Sequence, residues 1–346
     1  MNYTKPALTF AQQVAQLESR GLKINDHARA IRHLSNISYY RLSAYMRPFR
    51  EVAPASRQVL ENFREGTNWD DIINLYKFDR KLRILVFDAI ERIEIALRTQ
   101  IIYQMSHKYG PFWHNNVTVY GTCRIGGKVV DVYNKIQSHI TNILSKPQSA
   151  PDFIKHYLTK YTNPPTPPSW MSVELLYFGD LSFLCKALDA KANKSDIDNL
   201  ATSFALPRVT FLSWLHTINY VRNICAHHAR LWNLRFNIVP EQFQGGFNPN
   251  MIWITNPMTA QRAKMYYFLC MLLYFMETIN PKSKFREHFF KLVDDYSFVN
   301  LSYMGFPQDW RKEKLWQMNK KKWGISSSIE KMYYLCTRNI RKFFCN

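Results

Sequence analysis

An arginine and a histidine five positions apart, Arg222 and His227, lie in a stretch that has no glycine or proline after Pro207 (LPRVTFLSWLHTINYVRNICAHHARLWNL, residues 206–234). A guanidinium grips phosphate oxygens in pairs and stays charged. An imidazole can take up or give away a proton near neutral pH. Together the two could cut RNA. The ribose 2′-hydroxyl attacks the adjacent phosphorus once a base removes its proton and the added charge is stabilised. That chemistry calls for no metal and no cofactor, and no H-x-x-x-H, H-E-x-x-H or D-x-D pattern lies nearby.

The residues around the pair predict one long helix over 206–234, with Pro207 in its first turn, where a missing N–H costs nothing. At roughly 100° per residue, Phe211, Trp214, Leu215, Ile218, Val221, Ile224, Cys225 and Trp232 share an apolar arc. His216, Asn219, Asn223, Ala226, His227 and Arg230 share the opposite, polar arc. Arg222 falls on the edge, where the spacing would place another apolar residue. Burial there requires a partner, either a phosphate or a carboxylate in an ordinary salt bridge. His228 turns toward the apolar side and is expected to be a packed core histidine. Asn223, one turn before His227, could fix the imidazole and joins the pair as a candidate catalytic residue.

The elements that must position these residues also read as helical. The 346 residues include only 11 glycines, which favours helices over a β-rich fold. Thr9–Arg20 is amphipathic and closes at Gly21, and Asn25 or Asp26 can cap the next helix. An aromatic and basic segment follows, Ile37–Tyr45 with Arg41, Arg47 and Arg50. It could bind nucleic acid by stacking and charge, although most of its tyrosines are expected to pack inward. A polar connection over 51–68 leads to a long helix, Trp69–Tyr109, started by Asn68 or Thr67. On it Leu82, Leu85, Val86, Ala89, Ile93 and Ala96 share one face, and Arg80, Glu91, Glu94 and Arg98 the other. Residues 110–170 are irregular, with turns at Gly121, Gly126 and Gly127 and a proline-rich crossing at 163–168. Trp170 opens a further helix that Gly179 breaks or reorients. Ala260–Ile279 reads as a buried core helix, too short in its apolar run to span a bilayer.

The formal net charge is +20, spread along the chain, which suits an extended anionic partner such as RNA. The last stretch interleaves bases and aromatics, with Lys320, Lys321 and Lys322 at its centre, a pattern that suits RNA. The six cysteines form no C-x-x-C pair and read as buried thiols of a cytoplasmic protein. No signal sequence is recognisable. The expected organisation is an N-terminal helical module (1–50), a helical core (51–280) with an irregular insertion near 110–170, and a basic, aromatic C-terminal region (281–346).

Arg222-Asn223-Ile224-Cys225-Ala226-His227 resembles the R-N-x-x-x-H motif of HEPN ribonuclease domains. The longer run RNICAHHARLWN is similar to the Abi-like abortive-infection family, the AbiD/AbiF group. Further segments share the likeness: KPALTFAQQVAQLESRGLKI, ISYYRLSAYMRPF, FDRKLR with IEIALRT, WMSVELLYFGDLSFL and Met304–Trp310. Together they span about residues 5–310. The resemblance implies an all-α, HEPN-like homodimer in which two copies of the motif share one cleft. A second histidine would then supply the acid that a single one cannot. It further implies that Glu94 orients Arg222 or that Arg98 contacts RNA, and that a structured non-coding RNA could bind and restrain the protein. His216, Asn219, Arg230 and Arg41 are further candidates for RNA contact. A non-catalytic RNA-binding scaffold and a partner for acidic proteins are the rival readings.

Overall fold

A computed structural model of the chain describes residues 2, 4, 6–125, 127–243 and 259–317. Lys320, Lys321 and Lys322 lie outside the described residues. The fold is mostly helical, with two short β-ribbons. Thr9 and Gln12 exchange side-chain and backbone hydrogen bonds, and this capping box starts α1 (Phe10–Ser19). Asp26 caps α2 (His27–Ile37), and Ser38 caps α3 (Tyr39–Met46). The polar connection expected after α3 contains a hairpin of β1 (Arg50–Val52) and β2 (Val59–Phe63).

Asn68 and Asp71 form a second capping box and start α4 (Trp69–Tyr109), which runs for 41 residues to Gly110. At 1.5 Å per residue it is a rod of about 60 Å. The stretch expected to be irregular follows, with antiparallel β3 (Cys123–Ile125) and β4 (Lys128–Val130), α5 (Val132–Leu144), α6 (Asp152–Lys160) and the single turn α7 (Ser169–Ser172). The expected break at Gly179 falls earlier. Gly179 lies inside α8 (Phe178–Asp189), and the chain turns at Leu176–Tyr177, where the Asp180 carboxylate accepts the Tyr177 N–H at 3.2 Å. Next come α9 (Ser195–Ser203) and α10 (Arg208–Ala226). The helix expected over 260–279 is split into α11 (Thr259–Arg262) and α12 (Met265–Ile279), because Lys264 is extended. The described chain ends with α13 (Phe285–Asp295) and α14 (Lys314–Gln317).

Helices α3, α8, α9, α10, α12 and α13 all pack along α4. Helix α12 is buried on every side from Met265 to Glu277, as an all-round apolar helix must be. One contiguous cluster of buried side chains runs from Val14 to Trp316. In its C-terminal part Phe289, Phe306, Trp310 and Trp316 pack ring against ring. Among the described residues no helix is long and apolar enough to cross a membrane.

Candidate functional site

Helix α10 stops at Ala226, short of the predicted Leu234. His227 is its C-cap, and the Ala229 and His228 N–H groups turn back to the carbonyls of Ile224 and Cys225, both at 3.0 Å. This is a Schellman closure with His228 in the left-handed region (φ 55°), a place where glycine is usual. His228 is therefore exposed and not packed in the core as its helical angle suggests. Trp232 and Arg230 lie beyond the helix, so the wheel does not describe them.

The segment after α10 is held by two of the candidate residues, Arg41 and Arg230, and by three that the sequence did not single out, Asp79, Tyr45 and Arg83. Asp79, fully buried on α4, accepts the N–H groups of Leu231 at 3.1 Å and Trp232 at 2.6 Å. It also accepts the Tyr45 hydroxyl at 2.5 Å and pairs with Arg83 one turn along. Arg83 reaches the Ala229 carbonyl at 3.4 Å. From α3, Arg41 donates to the His228 carbonyl at 2.5 Å and Arg230 returns a bond to the Ala44 carbonyl at 3.4 Å. Burial pushes the Asp79 carboxyl above its usual range, against the pull of Arg83 and the three other donors. Burial alone would lower Arg83, but the Asp79 carboxylate, with Tyr45 and Tyr76 added, outweighs this and holds it above its ordinary value. The signal for Asp79 is legible in hindsight: with Leu75, Leu82 and Val86 it occupies the apolar stripe of α4 at helical spacing.

Arg222 stands at a cleft of about 310 Å³, lined also by Phe87, Ile90, Glu91, Glu94, Ile95 and Arg98 of α4. It is half-buried, and no hydrogen bond or ion pair with a described residue engages it. Glu94 shares the cleft but pairs with Arg98 at 2.9 Å, not with Arg222. Arg98 also donates to the Leu176 carbonyl at 2.8 Å and lies 3.6 Å from the Glu174 carboxylate, so it braces the turn before α8. Asn223 and His227 are exposed, and no described residue engages their side chains.

The remaining candidates face protein. His216 lies 3.5 Å from the Lys186 amine of α8, and burial, then that charge, lower its pKa. Asn219 sits against Gly179, where an added Cβ would lie 3.8 Å from its side-chain oxygen. Arg41 and Arg230 are engaged with the motif loop and α3, as above. Cys225, beside the motif, is buried and its thiol is pushed up to about 12 by that burial, too high for a nucleophile. Among the described residues no three His, Cys, Asp or Glu side chains gather as metal ligands.

The family described as Abi-like protein matches residues 32–233, more than half of the chain. The chain belongs to the Abi-like family. The matched span starts within α2 and closes at Asn233, the end of the run RNICAHHARLWN. It is shorter than the likeness over about 5–310: the KPALTFA segment and Met304–Trp310 fall outside it. No curated protein and no solved structure matches the chain significantly. Within the matched span, the Abi-like segments are those that meet in space: Arg41 and Tyr45 from ISYYRLSAYMRPF, Asp79 and Arg83 from FDRKLR, and the loop that follows Arg222 and His227. Membership implies a part in abortive-infection defence against phage.

Proposed function

We propose that this Abi-like protein is a metal-independent endoribonuclease of the HEPN type, cutting RNA with Arg222, His227 and Asn223. The observation that carries the reading is the contrast at the end of α10. Arg222 has no partner among the described residues and opens onto a cleft, His227 is exposed at the helix end, and the buried side chains of Tyr45, Asp79 and Arg83 fix the backbone behind them. A side chain kept free by so much supporting structure is poised for a ligand.

In the proposed reaction an imidazole takes the proton of the ribose 2′-hydroxyl as the 2′-oxygen bonds to phosphorus. Arg222 neutralises the phosphoryl oxygens. The bond from phosphorus to the 5′-oxygen breaks, and that oxygen receives a proton from a second imidazole. The products are a 2′,3′-cyclic phosphate and a 5′-hydroxyl. Two imidazoles are supplied if two copies of the chain pair through this helix, so the reading includes a homodimer. A bound structured RNA that restrains the enzyme is consistent with the charge of +20.

The test is cleavage of end-labelled single-stranded RNA in EDTA by the protein and by His227→Ala and Arg222→Ala. Each change should slow cleavage by about 10²–10⁴-fold, the usual weight of a positioned proton carrier or charge stabiliser. Chemical analysis of the ends should find the cyclic phosphate. A protein that holds RNA through every purification step and never cuts it, with or without the substitutions, is a binding protein and not an enzyme.

A further inference from the structure

The segment Ile37–Tyr45 carries three tyrosines, and the structure gives two of them work inside the protein. Tyr39 accepts a hydrogen bond from Arg20 at 3.0 Å, and Tyr45 is buried on Asp79. Tyr40 has none. It is 89 % exposed, more than any other large apolar or aromatic side chain among the described residues. An aromatic ring so fully in water gains nothing for the fold.

Tyr40 is also held in a fixed place relative to the motif. Its neighbour Arg41 donates to the carbonyl of His228, the residue after His227, across 187 positions of sequence. Two further ties, Arg230 to Ala44 and Tyr45 to Asp79, fasten the same short helix. Ser38, left-handed at φ 68°, caps that helix through the Arg41 N–H and fixes how the chain enters it. The exposed ring thus stands on a tethered helix, one residue from the arginine that touches the backbone next to His227, with Arg47 exposed on the same module.

We infer that Tyr40 is a stacking platform for a nucleobase of single-stranded RNA whose backbone passes His227. The inference rests on the RNA reading above and narrows its substrate class. A base can lie on a tyrosine face only when it has left its own stack, so duplex RNA offers nothing to this ring. Cations beside the ring suit the phosphates that flank such a base. The N-terminal module then has two duties at one spot: Arg41 holds the loop, and Tyr40 holds the strand.

Binding is measured by fluorescence anisotropy in a His227→Ala background, so that the RNA stays intact, with a labelled mixed-sequence single strand and a duplex of equal length. Tyr40→Ala should weaken single-strand binding by roughly five- to a hundredfold and leave duplex binding nearly unchanged. Tyr40→Phe should bind like the parent, because stacking needs the ring and not the hydroxyl. Melting by circular dichroism should be the same for all three. Equal single-strand affinity for Tyr40→Ala and its parent overturns the inference, as does an equal loss for strand and duplex. Cleavage with His227 restored is read separately. A protein that binds through Tyr40 yet never cuts defeats the nuclease reading alone, and one that cuts regardless of Tyr40 defeats the platform alone. A protein that binds no RNA defeats both.

Discussion

Asp79 gives Arg83 a buried partner and gives two backbone N–H groups their acceptor, so its removal is felt twice. Asp79→Ala should lower stability by about 3–5 kcal/mol, the cost of stranding a buried charge, as a shift in the urea midpoint. Arg222 is the opposite case. With no partner among the described residues, Arg222→Ala should change stability by no more than about 0.5 kcal/mol while cleavage collapses. If Arg222→Ala instead unfolds as readily as Asp79→Ala, Arg222 is a structural residue and the proposed site is lost. Both residues are charged where helical spacing asks for an apolar side chain, and sequence alone flagged only Arg222. Asp79 is harder to read, because its i, i+4 spacing from Arg83 is also that of an ordinary surface ion pair.

At the scale of elements, helix starts were more legible than helix ends. Thr9, Asp26 and Asn68 announce α1, α2 and α4 with side chains that bond their own backbone a turn later, which is local information. Gly110 announces the end of α4 in the same way. The end of α10 was not legible, because no glycine or proline stands there. The helix is closed by His228 in a left-handed conformation and by Asp79, whose carboxylate captures N–H groups 152 and 153 residues away. The turn before α8 was misplaced for a related reason: Gly179 supplies space beside Asn219 instead of a break. Gly121, read as a turn, is a packing glycine. An added Cβ would lie 2.6 Å from the backbone of Ala190 and Lys191 at the end of α8. Gly121→Ala should therefore destabilise the protein by about 1–3 kcal/mol, measured by thermal or urea unfolding. The candidate site was only partly legible: the wheel put Arg222 at the edge and His227 on the polar arc, and they are half-buried and exposed, but it put His216 and Asn219 on an arc that α8 in fact covers.

For the whole molecule, the buried His114 sets a dependence on pH. It is fully enclosed, neither ring nitrogen has a hydrogen-bond partner, and burial lowers its pKa to about 4. Above the ordinary value of 6.5 both folded and unfolded chains hold it neutral, and it has no effect. As pH falls below 6.5 the unfolded chain takes up a proton that the folded chain refuses until about 4. Stability should therefore drop by up to about 1.4 kcal/mol per pH unit across that window. His114→Phe should flatten this part of the profile in denaturation curves collected from pH 7 to about 4. The long reach of Asp79 has a different consequence, for the newborn chain. During translation Asp79 and Arg83 leave the ribosome about 150 residues ahead of the backbone they are to hold, and α12, which fills the centre, follows later still. A nascent or truncated polypeptide can thus contain the arginine and the histidine without their geometry. On the proposed nuclease reading, synthesis itself withholds the cleaving geometry until α12 is made.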